Sequence, residues 1–197
     1  ALFYNVPARK KFQKTAVISS AQIYKTVVLQ ALAHPHIAFK LQDAEKIALE
    51  VFPASLKQRI KDLLGWEVGA DWQELDFQED NFILRGFLGR PAIARKNYSL
   101  QYVFLNRRPI FSSQLSRFVK EAYATRLTEN YQPAFVLQMQ LPPHLADVNV
   151  HPQKKEVRWQ DPLYLRTKIQ KAVLTALTQK NAPAIAVSPN FVRPVLT

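Results

Sequence analysis

The chain has 197 residues, 48% of them hydrophobic and 21% charged, which is the composition of a folded domain with a sizeable core. That excludes a disordered, collagenous or low-complexity chain, and no apolar run approaches the ~18 residues of a membrane-spanning helix. There is no cysteine, so disulfides, thiolate metal sites, iron–sulfur clusters and cysteine nucleophiles are excluded as well. Lys plus Arg number 27 against 15 Asp plus Glu, a formal net charge of +12. So basic a domain suits a polyanion partner, nucleic acid before anionic membrane.

Residues 1–12 join a short apolar entry to Asn5-Val6-Pro7-Ala8-Arg9-Lys10-Lys11, and Pro7 makes a basic loop the expected form. Residues 17–33 hold no Gly or Pro and predict a helix with Ile23, Val27, Gln30 and Ala31 on a common face. His34-Pro35-His36 ends it, because a residue before proline avoids helical geometry. Residues 37–41 and 47–52 are β-prone runs about a longer loop at 42–46, a hairpin candidate. A second helix begins at Ser55, which with Gln58 fits a capping box. Leu56, Ile60, Leu63 and Leu64 have helical spacing, and Gly65 stands at the C-cap position.

Residues 75–88 read as one strand region, apolar in part on both faces and ended by Gly89-Arg90-Pro91. Residues 102–105 are a continuous apolar run suited to a strand buried on both faces, and Asn106-Arg107-Arg108-Pro109 is a tight basic turn. Leu115, Phe118, Val119, Ala122 and Tyr123 follow the stripe of an amphipathic helix. Phe135, Leu137, Met139 and Leu141 form one side of a strand. Ala146, Val148 and Val150 alternate with Asp147, Asn149 and His151, and the basic loop Pro152-Gln153-Lys154-Lys155 follows. Leu165, Ile169, Val173 and Ala176 mark a last helix. The order is α-β-β-α-β-β-α-β-α without internal repeats, a mixed α/β chain. Residues 181–197 carry Pro183, Pro189 and Pro194 with no period and read as a linker. The opening Ala1-Leu2-Phe3-Tyr4-Asn5, without Met, reads as the middle of a domain, and a piece of a longer protein is expected.

A self-contained active site does not emerge. There is no GxxxxGKS/T, GxGxxG or HExxH, and only 4 Gly. His34, His36, His144 and His151 make no convincing ligand set, so no metal site is expected. Glu79 and Asp80 read as a solvated acidic loop, and Ser112 and Ser113 as helix-start residues. What remains is basic loops beside strands and helices: Arg9-Lys10-Lys11, Arg107-Arg108 and Lys154-Lys155. Each is as compatible with plain solvation as with reading phosphates.

Leu2-Phe3-Tyr4-Asn5-Val6-Pro7-Ala8-Arg9-Lys10-Lys11-Phe12 resembles the LFxNxPARxKF motif of MutL-type DNA mismatch repair proteins. Asp147-Val148-Asn149-Val150-His151-Pro152-Gln153-Lys154-Lys155-Glu156-Val157-Arg158-Trp159 resembles that family's DVNVHPxKxEVRF motif. Gln101-Tyr102-Val103-Phe104-Leu105-Asn106-Arg107-Arg108-Pro109 is similar to its QxxFVNGRxV segment. The resemblance covers nearly the whole chain, from Leu2 to about Leu177. The family consists of GHKL-type ATPases, related to gyrase B subunits, whose nucleotide pocket lies mainly upstream of LFxNxPAR. It implies the C-terminal edge of an ATPase domain in residues 1–15, a connecting helix in 16–36, a transducer domain in 37–180 and the start of a flexible linker in 181–197. The implied fold is α/β, an α+β sandwich with a left-handed βαβ crossover, against the right-handed default.

Lys154 matches the family lysine that enters the ATP site and meets the γ-phosphate, so the resemblance gives it the catalytic and cofactor-binding role in the intact protein. Lys155 takes that role if the register shifts by one. Asn149, His151 and Pro152 would place the loop, and Asn5, Pro7 and Arg9 the junction between ATPase and transducer domains. Asn106, Arg107, Arg108 and Lys155 are the implied DNA contacts. The intact protein would use ATP and Mg, bind DNA, pair as a homodimer and work with a mismatch-recognition protein of the MutS type. It would couple ATP hydrolysis to downstream nicking or excision in a bacterial cytoplasm or nucleoid, with no secretion and no membrane. The piece alone, without the pocket, is expected to bind no ATP, Mg or other metal and to turn none over. Two other readings stay open: a stand-alone basic nucleic-acid-binding module, and the transducer of another GHKL protein such as a type II topoisomerase. The chain departs from the family pattern at Arg107, where NGR has Gly and a positive φ would strain a side chain. It departs again at Gly89, which replaces the Ser of GxISxP, and at Trp159, which replaces a Phe.

Overall fold

The computed structural model describes residues 15–66, 71–148 and 157–178. Its elements in chain order are α1 (Ala16–Ala33), β1 (Phe39–Asp43), β2 (Lys46–Val51), α2 (Leu56–Leu64), β3 (Trp72–Glu79), β4 (Phe82–Gly89), β5 (Gln101–Leu105), β6 (Arg108–Ile110), α3 (Ser113–Tyr123), β7 (Phe135–Gln140), β8 (Ala146–Asp147), β9 (Arg158–Trp159) and α4 (Pro162–Thr178). Five strands form a sheet in the order β3-β4-β7-β5-β6, and β1-β2 and β8-β9 are separate two-stranded ladders. β5 and β7 run parallel, while the other pairs of the sheet are antiparallel. The chain therefore crosses from β5 to β7 through β6 and α3, a βαβ connection within a mixed α/β sandwich.

Two expectations are corrected here. The strand region at 75–88 is a hairpin, β3 and β4 pairing along their whole length about Asp80-Asn81, with Asp80 at φ 53. Its turn carries neither Gly nor Pro, and Asp is among the few residues that tolerate the left-handed region. The hairpin of β1 and β2 has a shorter turn than expected, because both strands continue into residues 42–46. Ala44 takes φ 50, and Gln42 Nε2 donates to its carbonyl at 2.8 Å.

Alternation along the strands divides the sheet between two cores. Phe82, Leu84 and Leu88 of β4, Val103 and Leu105 of β5, and Phe135, Leu137 and Met139 of β7 face one side. There α3 supplies Leu115, Phe118, Val119, Ala122 and Tyr123, and α4 supplies Leu165, Ile169, Ala172, Val173 and Ala176. Phe87, Phe104 and Val136 face the other side, against Val28, Ala31 and Leu32 of α1, Leu49 and Val51 of β2, and Ile60 of α2. Strands apolar on both faces are what this requires, as residues 102–105 suggest. Tyr123 enters the first core as a neutral phenol, its ionisation opposed by burial, and its hydroxyl donates to Gly89 O at 2.8 Å.

The buried face of α1 keeps Ala31 of the expected one and packs Val27 partly, but leaves Ile23 out. Ile23 is 54% exposed, and the buried residues are Val28, Ala31, Leu32 and Ala33. Ser19, Gln22, Thr26 and Gln30 form a polar stripe, the buried Val28 and Leu32 lie opposite it, and burial is confined to the second half of the helix. Gln138 Nε2 of β7 donates to Leu32 O at 3.1 Å and fixes that half to the sheet. In α2, Ser55 Oγ accepts from Gln58 N at 3.2 Å and Gly65 closes the helix at φ 66. The return half of the capping box is absent, since Gln58 Nε2 donates to Asp62 Oδ1 at 2.7 Å instead.

Arg59 of α2 is fully buried. Its Nη2 donates to the carbonyls of Pro35, Ile37 and Phe52 at 2.8, 2.9 and 2.7 Å, and its Nη1 to Ala31 O at 3.4 Å. Desolvation lowers its pKa and nearby Asp62 opposes that shift, yet a guanidinium keeps its proton. One side chain thus joins the end of α1, the loop after it, the end of β2 and α2. Arg59→Leu leaves those carbonyls without a donor and should cost about 3 kcal/mol. That corresponds to a melting temperature lower by about 10 °C in a thermal unfolding scan.

Glu79 and Asp80 are paired rather than merely solvated. Lys171 Nζ lies 2.7 Å from Glu79 Oε1, and Lys168 Nζ lies 3.0 Å from Glu79 Oε2 and 2.8 Å from Asp80 Oδ2. The hydrogen bond from Lys171, then that from Lys168, holds the Glu79 carboxyl below the usual carboxylate range. A depressed folded-state pKa stabilises above the unfolded value, and the contribution is lost as pH falls through the folded one. The urea midpoint of the wild type should therefore fall on acidification through and below the carboxylate range, and Glu79→Gln should show a shallower fall.

Candidate nucleic-acid interface

Of the basic clusters, Arg107-Arg108 lies in the described part. Arg9-Lys10-Lys11 and Lys154-Lys155 lie outside the described residues, as do Asn5, Pro7, Asn149, His151 and Pro152. Asn106 and Arg107 have φ 47 and 67, which makes them the two left-handed residues of a two-residue hairpin loop between β5 and β6. Asn106 N donates to Met139 O at 2.8 Å. Its Nδ2 donates to Leu141 O at 3.0 Å and its Oδ1 accepts from Leu141 N at 3.2 Å. Both ends of the carboxamide are thus held on Leu141. Asn106 positions the turn, and the exposed Arg107 and Arg108 carry its charge.

The turn and the Lys154 segment are related through β7. Because β5 and β7 are parallel, Asn106 and Leu141 leave the same end of the sheet. From Leu141 the chain reaches β8, which pairs with β9 as Ala146↔Trp159 and Asp147↔Arg158. Gln160 N donates to Leu145 O at 3.0 Å and extends the pairing. Trp159 is buried, and its Nε1 donates to Ser112 Oγ at 3.4 Å. The same oxygen accepts from Leu115 N at 3.2 Å and caps α3. The β8–β9 ladder therefore pairs Asp147 with Arg158, described residues on either side of the segment bearing Lys154.

Reading the sequence for basic runs misses a further part of this face. Beyond β6 stands Phe111, 59% exposed. Ser113, Gln114, Arg117 and Lys120 of α3 then line an open groove of about 490 Å³ with Tyr98 and Gln132. Glu121 does little to neutralise it. Its carboxylate takes Arg166 Nε at 2.9 Å and Gln170 Nε2 at 3.2 Å from α4, while Arg117 Nε stays at 3.7 Å. Lys120 Nζ donates to Glu129 O at 2.6 Å, which places the ammonium without neutralising it. The available signal was Arg117 and Lys120 at i, i+3 on the polar side of the amphipathic stripe. In chain order Arg107, Arg108, Arg117 and Lys120 run from the turn through β6 into α3, a series of cations suited to phosphate contacts. Among the described residues no three His, Asp or Glu side chains gather to hold a metal ion, and no helix is long and apolar enough to cross a membrane.

The family model described as DNA mismatch repair protein, C-terminal domain, matches residues 60–178. The chain belongs to the MutL-type DNA mismatch repair family. It is 37% identical over 177 residues to the DNA mismatch repair protein MutL of Symbiobacterium thermophilum, covering 89% of this chain and 28% of that one. To the MutL of Agrobacterium fabrum it is 38% identical over 181 residues, covering 90% and 30%. The chain thus spans less than a third of the length of these relatives. The fold is shared with the N-terminal domain of a DNA repair protein, at TM-score 0.66 and 22% identity over 88% of this chain and 58% of that one. It is also shared with the Aquifex aeolicus MutL ATPase domain complexed with ADP, at TM-score 0.56 and 24% identity over 86% and 55%.

The departures from the MutL pattern have local causes. A Cβ on Gly89 would lie 2.6 Å from Ile93 Cδ1 and 2.9 Å from Ala134 Cβ, so the Ser of the pattern has no room beside these side chains. Trp159 fills the place of a buried aromatic and adds a donor, which Ser112 accepts. Arg107 occupies a φ of 67 that favours Gly. Arg107→Gly should therefore raise stability by about 1 kcal/mol, read as a higher urea midpoint with an unchanged slope.

Proposed function

We propose that this chain is the transducer region of a MutL-type ATPase and that its β6–α3 edge takes the backbone of duplex DNA. Residues 37–180 are the transducer, 16–36 its connecting helix, 1–15 the edge of the nucleotide-binding domain and 181–197 the start of a linker. The observation that carries this reading is the β8–β9 ladder. It anchors a segment matching DVNVHPxKxEVRF at the sheet end where Asn106 holds the Arg107-Arg108 turn.

Lys154 meets the γ-phosphate of ATP, which the upstream half of the intact protein holds with Mg, and Lys155 does so if the register is one residue on. A flexible ammonium neutralises a terminal phosphate and is released once that phosphate is gone, a local charge event with a wider readout. Asn149, His151 and Pro152 place the segment, and Asn5, Pro7 and Arg9 fasten the domain junction. Arg107 and Arg108, extended by Arg117 and Lys120, contact phosphates, while Asn106 orients the turn. The intact protein pairs as a homodimer, works with a MutS-type mismatch-recognition protein and couples ATP turnover to nicking or excision in the bacterial cytoplasm or nucleoid. Family membership and the +12 charge support these assignments.

A duplex DNA titration at several salt concentrations tests the binding half of the reading. The log–log slope should be roughly −0.9 per phosphate neutralised, and Arg108→Ala should make it shallower by about one. A flat salt response overturns DNA binding. In the intact protein Lys154→Ala should lower ATP turnover roughly 100-fold with DNA binding unchanged, and unchanged turnover removes the phosphate role.

A further inference from the structure

We infer that Trp159 and Ser112 are positioning residues that make the β8–β9 ladder and the first turn of α3 move as one body. The inference rests on the reading above that DNA lies along the β6–α3 edge. Trp159 is 6% exposed and Ser112 9%, so the indole N–H is shut away from water and needs a protein acceptor. Ser112 Oγ is that acceptor, at 3.4 Å, and the same atom receives Leu115 N at 3.2 Å as the cap of α3. Shifting α3's first turn leaves a buried donor without a partner, and shifting the ladder pulls on the atom that caps α3. The other end of the basic strip is tied to the same ladder segment, because Asn106 holds Leu141 and Leu145 O accepts from Gln160 N.

The contact comes from this chain's own departure from its family. The Phe of DVNVHPxKxEVRF has no N–H to offer, whereas Trp159 does. DNA seated on Arg108, Arg117 and Lys120 thereby restrains the ladder through which the Lys154 segment leaves the core and returns.

Hydrogen exchange at the amides of Arg158, Trp159 and Gln160, measured in this chain with and without a short duplex DNA, tests the link. In the wild type DNA should slow exchange there several-fold. Trp159→Phe removes only the donor, and Ser112→Gly removes the acceptor while keeping a residue tolerated at a helix N-cap. Both variants should bind DNA with the wild-type salt slope and lose the DNA-dependent slowing. Ser112→Thr, which keeps an oxygen for both donors, should retain it. Slowing that persists undiminished in Trp159→Phe or Ser112→Gly overturns the link, as does a wild type that binds DNA with no change at these amides. A wild type that does not bind DNA at all overturns the underlying reading together with the link.

Discussion

Strand β7 takes part in both cores. Phe135, Leu137 and Met139 face α3 and α4, Ala134 and Val136 face α1, and all five are fully buried. The four larger side chains contribute about 1.5–3 kcal/mol each, so the strand cannot shift its register without exposing residues on both sides of the sheet at once. Its neighbours are held as firmly. At Gly86, φ 144, a Cβ would lie 2.0 Å from Val136 O, so β4 approaches β7 as only glycine allows. On the opposite side β5 pairs with it in parallel from Gln101↔Phe135 to Leu105↔Met139.

That rigidity reaches the candidate interface through Asn106 and Leu141. A parallel pair places the exits of both strands at one end of the sheet, where an antiparallel pair would separate them. Asn106, last residue before the exposed arginines, is bound to the first residue after β7 by both ends of its carboxamide. The turn is short, so its conformation is narrowly defined, and Pro109 next to it offers no N–H to a further strand at the sheet edge. A side chain at Arg107, in a left-handed conformation, is strained by about 1 kcal/mol or more. The same substitution puts a second cation on the turn. Stability is exchanged for charge at a point where the sheet holds that charge still.

Most of the architecture was legible because burial leaves period-2 and period-3.6 traces. The stripe of α3, the apolar run of β5, the cap pair Ser55 and Gly65, and the proline stop after α1 all appear where the residues place them. Legibility failed where local chemistry was silent. The β3–β4 turn uses Asp80 and Asn81 without Gly or Pro, so two strands read as one region. In α1 the expected face ran through Ile23, whereas the sheet buries Val28 and Leu32, opposite the polar stripe of Ser19, Gln22 and Thr26. At the interface the basic runs were visible, but Arg117 and Lys120 were not. They stand three residues apart on the polar side of α3 rather than in a run, and folding brings them beside Tyr98. The holding role of Asn106 was hidden too, since its partner Leu141 lies on another strand.

Charges pair unevenly among the described residues. On the α4 side the acids are taken up by bases: Lys168 and Lys171 hold Glu79 and Asp80, and Arg166 draws Glu121 toward α4 and away from Arg117. Arg85 likewise meets Asp76 at 2.9 Å across the β3–β4 ladder. Each such exposed pair adds little to stability. Its larger effect is on the field, because each of the carboxylates of Asp76, Glu79, Asp80 and Glu121 held by such a base screens the β6–α3 edge less. Among the described residues, no carboxylate forms an ion pair with Arg107, Arg108 or Lys120. Since screening confines such fields to about 10 Å at 0.1 M salt, the local balance of charge counts for more than the total, and the proposed contact of the β6–α3 edge with a polyanion depends on that local balance.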